Sequence, residues 1–195
     1  VIGRASHPSG HHSGLVGQLL VSPPALGDPN FRHRVVLVLA HQPEGAFGLV
    51  LNEPTSVGIE TLLDDIPAWI GRCCAPAVVF KGGPVDPSTV VALGRPTPGV
   101  PAPWAWLLDA VGTVDLESDP ADVDGLHDVR IFAGYAGWGP GQLDGELAVG
   151  GWYVVPAEPG DAFTEQPDRL WASVLRRAGG EVALVSTHPT GDIWN

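Results

Sequence analysis

Eight residues of this chain have types and spacings that can do chemistry together: His41, Asn52, Gly82, Gly83, Tyr135, Trp138, Gln142 and Glu146. Brought into one cleft, Tyr135 and Trp138 would form an aromatic wall. Asn52 and Gln142 would orient a ligand, and the two glycines would let it approach the backbone closely, which is the make-up of a small-molecule site. Glu146 and His41 would be the proton-transfer pair if the cleft catalysed a reaction by general acid–base chemistry. No nucleophile is specified beside them. Each residue also has a plainer role. His41 and Asn52 bracket a hairpin and can satisfy backbone groups, the two aromatics can pack over neighbouring glycines, and Glu146 can be a solvated helix residue.

Other arrangements narrow the field. There is no Gly-x-Ser-x-Gly elbow, no His-Glu-x-x-His and no phosphate loop, since Lys81 precedes its glycines instead of following them. Gly137-Trp-Gly139 begins like a dinucleotide fingerprint, but Gln142 stands where the third glycine is needed. His188 and the Asp64–Asp65 pair are further catalytic candidates, the acidic pair at a helix end where solvation accounts for it. No cofactor and no metal site is expected. Cys73 and Cys74 are adjacent, without the spacing of zinc or redox pairs, and read as two reduced structural thiols. His7, His11 and His12 lie in a polar segment with nothing to orient them on a metal.

The elements that position these residues follow from pattern. The segment from Arg130 to Glu146 reads as a strand over Val129–Phe132, then a turn eased by Gly134, Gly137 and Gly139, then a helix opening at Pro140. On that helix Gln142 and Glu146 are four apart and share a polar face, while Leu143 and Leu147 pack. Strands are predicted over Gly17–Val21, Arg34–Ala40 and Phe47–Leu51, the second and third joined as a hairpin through Gln42-Pro-Glu-Gly45. The unbroken apolar run Val35–Leu39 marks a strand buried on both faces. Further strands are predicted over Val78–Phe80, Val90–Leu93, Trp106–Leu108, Val111–Leu116, Trp152–Val155 and Val182–Ser186. Helices are predicted from Thr55 or Ser56 to Leu63, as a short turn at Asp119–Asp124, and from Pro167, where Leu170, Trp171, Val174, Leu175 and Ala178 form an apolar stripe stopped by Gly179. Strands come in runs instead of alternating with helices, so the class is α+β.

With 195 residues, 44% of them hydrophobic, the chain is long enough for one core and short for two. Residues 1–14 read as a mobile tail and 15–195 as a single domain. Ten Lys and Arg stand against 22 Asp and Glu, for a net charge of -12, and Lys81 is the only lysine. Affinity for duplex DNA comes mainly from cations that release phosphate counterions, so no direct nucleic-acid binding is expected. Binding to random duplex at ~0.15 M salt should stay weaker than ~1 μM in a fluorescence-polarisation titration; a tighter, salt-dependent isotherm would overturn this reading. No apolar run reaches the ~20 residues that cross a bilayer, and no leader pattern stands at the start, so the expectation is a cytoplasmic protein without membrane contact.

The segment Gly134-Tyr-Ala-Gly-Trp-Gly-Pro-Gly-Gln-Leu-Asp-Gly-Glu146 resembles the signature of the bacterial AlgH/YqgE family. His41-Gln-Pro-Glu-Gly-Ala-Phe-Gly-Leu-Val-Leu-Asn-Glu-Pro54 and Phe80-Lys-Gly-Gly-Pro-Val85 resemble its two other motifs, in family order and preceded by Gly17-Gln-Leu-Leu20. The resemblance implies a branched mixed β-sheet, partly closed into a small barrel and surrounded by helices. It implies no established reaction, although one family member is linked to alginate regulation. Many relatives carry a histidine after the strand following Gly-Gly-Pro-Val, where this chain has Ala92-Leu-Gly94. On these grounds the expected role is regulatory or binding, through a glycine- and aromatic-lined cleft that takes a protein or small-molecule ligand. The alternative is a small hydrolase-like or transferase-like enzyme using the same cleft.

Overall fold

The apolar run at Val35 forms strand β2 (Val35–Gln42), whose first four residues are all buried. It lies between β1 (Gln18–Val21) and β3 (Gly45–Val50), antiparallel to both, as a run apolar on both faces requires. The structure is a computed structural model describing residues 14–24, 30–62, 67–100, 107 and 111–186. The predicted hairpin closes at Gly45 (φ 141), where an added Cβ would stand 2.3 Å from the Trp138 carbonyl oxygen.

The remaining strands are β4 (Pro54–Gly58), β5 (Val78–Lys81), β6 (Val85–Pro96), β7 (Gly112–Val114), β8 (Leu126–Trp138) and β9 (Tyr153–Pro156). Among the described residues the strands join in one nine-stranded sheet with the path β4-β5-β8-β3-β2-β1-β9 and a branch from β8 to β6 and β7. Strand β8 is the fork. Phe132 and Ala133 pair in parallel with Phe80 and Lys81 on one edge and antiparallel with Val91 and Val90 on the other. Further along, Ala136–Trp138 pair with Gly48–Ala46.

The sheet is mixed and branched, as the family resemblance implied, but it is open: its end strands β4 and β9 do not pair with one another. The small barrel is therefore not formed. Helix α3 (Pro167–Ala178) packs its apolar stripe against the sheet. Leu170, Trp171, Val174 and Leu175 share a core with Leu19, Leu37, Leu49, Phe132 and Leu93, and Trp171 Nε1 donates to the Ser22 carbonyl at 2.9 Å.

Three other expectations change. The helix predicted from Thr55 is mostly strand β4, because the Thr55 hydroxyl donates to Val79 of β5 at 2.7 Å instead of capping a helix. Only Ile59–Leu62 (α1) is helical there, and Leu63 to Ile66 lie outside the described residues. The terminal strand predicted at Val182–Ser186 is helix α4 (Gly180–Val185), which follows α3 across Gly179 (φ 74); short apolar runs fit helix and strand equally well. Asp119–Asp124 forms turns, with Asp119 Oδ1 accepting from the Ala121 amide at 2.8 Å. Trp106, Leu108, His188 and residues 1–13 lie outside the described residues, as do Asp64 and Asp65.

Candidate functional site

Strand β8 does not turn at its glycines; it runs on to Trp138, and the turn comes at Gly139–Gly141, with Gly141 at φ 69. Helix α2 (Gln142–Ala148) follows. Two consequences decide the site. Alternation along a strand sends successive side chains to opposite faces, so the side chains of Tyr135 and Trp138, three apart, enter different core clusters, although both residues border one cleft. Tyr135 packs with the α3-side core, while Ala136 and Trp138 join Leu20, Val36 and Val38 on the other face, beneath Leu143. Gly134 (φ 69) is what returns Tyr135 to the face of Phe132, through a bulge that also shifts the β6 register between Val85 and Val90.

On the α2 face the polar signature residues bind one another. Glu146 Oε2 accepts from Trp138 Nε1 at 2.9 Å and from Trp152 Nε1 at 2.8 Å. Its Oε1 accepts from Gln142 Nε2 at 3.0 Å, and Gln142 Oε1 accepts from the Gly139 amide at 3.1 Å. Both indoles are nearly buried and meet edge-to-face, 6.1 Å between ring centroids, with Phe31 against both. Glu146 is thus a carboxylate that satisfies two buried indole N–H groups and pins α2 to the sheet. Leu143 is buried as predicted, and Leu147 partly. His41, at the end of β2, reaches the same helix with Nε2 3.4 Å from Asp144 Oδ1.

Asn52, Gly82 and Gly83 serve the sheet. Asn52 is 7% exposed; its Oδ1 accepts from the Val35 amide at 2.9 Å and its Nδ2 donates to the His33 carbonyl at 2.8 Å. It fastens the end of the β2–β3 hairpin remote from His41. Gly82 bridges the fork, receiving the Val50 amide at 2.7 Å and donating to Ala133 at 2.9 Å. A Cβ on Gly82 would lie 2.3 Å from the Gly134 oxygen, and one on Gly83 2.2 Å from the Tyr135 carbonyl. Of the eight sequence candidates, His41, Trp138, Gln142 and Glu146 gather near α2, Tyr135 and Trp138 border one cleft, Gly82 and Gly83 lie in the fork with Gly83 against the Tyr135 backbone, and Asn52 stands apart at the far hairpin end.

Tyr135 stands in a cleft of about 500 Å³. Its walls include Phe47, Val85 and Gly137, and the hairpin turn contributes Gln42 and Glu44 to the rim. The Phe47 and Tyr135 ring centroids are 4.8 Å apart, tilted by 41°. Gly137 faces Phe47 across the strands, and an added Cβ there would touch the Tyr135 ring at 3.2 Å. The missing side chain at Gly137 opens the cleft. The sequence reading did not include Phe47, Val85, Gln42 and Glu44. The signal available was a glycine opposite an aromatic residue, a recurrent cross-strand pairing, but it is visible only once the β3–β8 register is known.

Two other clusters were not anticipated. Arg130 is 2% exposed, over the Phe80 ring at 4.3 Å, and donates to the carbonyls of Thr164 and Ala75 and to Cys74 Sγ at 3.2 Å. Its Phe80 contact and carbonyl bonds join β8 to β5 and to the 3-10 turn region after Asp161–Phe163. Both cysteines are free thiols. Burial, and after it the neighbouring Cys74, push the Cys73 thiol up from its ordinary 9.0 to about 11. The fold thus keeps a proton that the unfolded chain releases, so Cys73 contributes a loss of stability as pH rises from about 9 to about 11. Denaturant titrations of the parent chain and Cys73→Ser should agree in their pH slope at neutrality and diverge over that alkaline window, with the shallower fall in the variant. Parallel curves throughout would contradict the burial of this thiol. Among the described residues, no group of three or more His, Cys, Asp or Glu is placed to hold a metal ion.

Comparison with known proteins matches residues 19–183 to the family model described as AlgH-like. A UPF0301 protein of Streptomyces avermitilis is 49% identical over 183 residues, 91% of this chain and 93% of the relative, and its Streptomyces coelicolor counterpart is 48% identical over the same span. A crystal structure of a Corynebacterium diphtheriae protein superposes with a TM-score of 0.80 at 32% identity, covering 88% of this chain and 91% of that one. The solution structure of the AlgH protein from Pseudomonas aeruginosa gives a TM-score of 0.64 at 26% identity, over 97% of this chain and all of that one.

Proposed function

The chain belongs to the AlgH-like family, and from that premise we propose that it is a binding protein of regulatory type whose ligand sits in the cleft between the β2–β3 turn and β8. The observation that carries this is the division of the signature. Its polar residues Gln142 and Glu146 are spent on internal hydrogen bonds, whereas Tyr135 and Phe47 line an accessible cleft of about 500 Å³. That volume is within the range of small-molecule sites, about 300–1,000 Å³. Regulation by such a protein would pass through its ligand or a protein partner and not through duplex DNA, given a net charge of -12. A cytoplasmic setting fits this reading, and among the described residues no helix is long and apolar enough to cross a membrane. The enzymatic alternative needs Glu146 free to carry a proton, and two indole N–H groups already hold it.

A fragment screen observed by ligand NMR tests the reading, run on the full chain and on Gly137→Val, whose added side chain grows toward the Tyr135 ring. Gly137 lies within a strand, where a β-branched residue is well accommodated. Fragments that bind the parent chain should lose at least about tenfold in affinity on the variant, as expected when a cleft-filling group displaces a ligand with about 1.4 kcal/mol of contact. Equal affinity of all hits for both proteins would place binding elsewhere.

A further inference from the structure

Resting on the reading of this cleft as a ligand site, we infer that it selects cations, its preferred ligand carrying a compact organic ammonium group. The lining has three aromatic residues, the partly exposed Phe47 and Tyr135 and the nearly buried Trp138, and one carboxylate at the rim, Glu44. Among the described residues no lysine, arginine or histidine lines it. An aromatic face carries negative charge density at its centre and attracts a cation brought over it, while a carboxylate at the mouth adds a full charge of the same sign. An anionic ligand would meet that carboxylate with no cation in the lining to answer it. The surrounding field points the same way, since the chain carries 22 acidic against ten basic residues, and a cleft lined by one sign of charge concentrates ions of the other.

The geometry also sets the size. Phe47 and Tyr135 are tilted by 41° rather than stacked flat, so together they form an angled wall. The absence of a side chain at Gly137 leaves the floor low. On this reading a trimethylammonium-sized head would lie over the ring faces, toward the Glu44 rim, within a cleft of about 500 Å³. Glu44 is exposed in the hairpin turn, so its attraction should be screened by salt.

Three probes of one shape and different charge separate the possibilities: choline, its neutral carbon isostere 3,3-dimethyl-1-butanol, and the anion 3,3-dimethylbutanoate. Each is titrated into the uniformly 15N-labelled full chain at low salt, following the amide resonances. Choline is expected to shift amides 42, 44–47, 85 and 135–137, and to bind about two- to fivefold more tightly than the neutral isostere, the increment of one exposed cation–aromatic contact. The anion is expected to be the weakest, and Glu44→Gln to narrow the choline preference. Neutral and cationic probes binding the same amides equally well would overturn the charge selectivity while leaving the cleft as a ligand site. The anion binding best would do the same. If no probe shifts these amides even at tens of millimolar, the cation proposal fails, and if the fragment screen also finds nothing sensitive to Gly137→Val, the cleft reading fails with it.

Discussion

Gly83→Ala should cost the protein at least about 3 kcal/mol, the upper range for overpacking a closed site, and lower its melting temperature by roughly 10 °C for a chain of this size. The reason is the identity of the atoms in the way. The new Cβ would meet the carbonyl carbon and oxygen of Tyr135 at 2.2 Å and the Ala136 amide nitrogen at 2.3 Å. Side chains can rotate away from an intruder, but these are backbone atoms of the strand on which the whole sheet forks. Relief would require separating β8 from the segment after β5, which breaks the bonds that Gly82 makes to Val50 and Ala133. Gly145→Ala is the control. It sits in α2 with nothing within 4 Å of its added Cβ, so it should be neutral or raise stability by up to about 1 kcal/mol through helix propensity. Calorimetric melting of both variants settles the point: similar small effects at the two glycines would mean that the fork is not closely packed.

Glu146→Ala carries the second large effect. It removes the acceptor of two nearly buried indole N–H groups, leaving Trp138 and Trp152 unsatisfied, at roughly 1–3 kcal/mol for each. Both losses act on one junction and will not add in full, so a total of about 3 kcal/mol is expected. Glu146→Gln keeps an oxygen for the indoles and should fall between the parent and the alanine variant. Gln142→Ala, at an exposed position, should lose less than about 1 kcal/mol. Urea melts followed by tryptophan fluorescence report all three, because two of the affected groups are the fluorophores. A Glu146→Ala chain as stable as the parent would return this carboxylate to the role of an exposed ligand-binding group.

How far the sequence could be read depended on the kind of information each element needs. The buried strand at Val35 and the amphipathic helix from Pro167 were legible because their patterns are local and strong. The terminal helix at Gly180 and the strand at Pro54 were not. A six-residue apolar run carries no decisive period, and Thr55 chose between capping and bridging according to where β5 lies. The open sheet escaped prediction because closure depends on which strands pair, and the end strands β4 and β9 do not pair with one another.

At the site the limit was parity. Tyr135 and Trp138 read as one wall from their proximity in sequence and both border one cleft, but odd spacing along β8 sends their side chains into different core clusters, which only the exact end of the strand decides. Glycine richness pointed to close backbone approach, and Gly82 and Gly83 confirm that at atomic distance. What it could not convey was which side of each glycine is packed and which is open. Gly83 abuts a strand, whereas Gly137 borders the cleft.

The central claim is that ligand recognition belongs to the Tyr135 face and structural fastening to the Glu146 face. The most direct measurement is an amide chemical-shift map of the 15N-labelled full chain, recorded with the tightest fragment from the screen. The largest shifts are expected at residues 42–47, 85 and 135–137, excluding the proline, with the α2 amides 142–146 and the Trp152 indole N–H signal nearly unmoved. Shifts concentrated at 142–146 and at the Trp152 indole, with the 44–47 amides still, would contradict it.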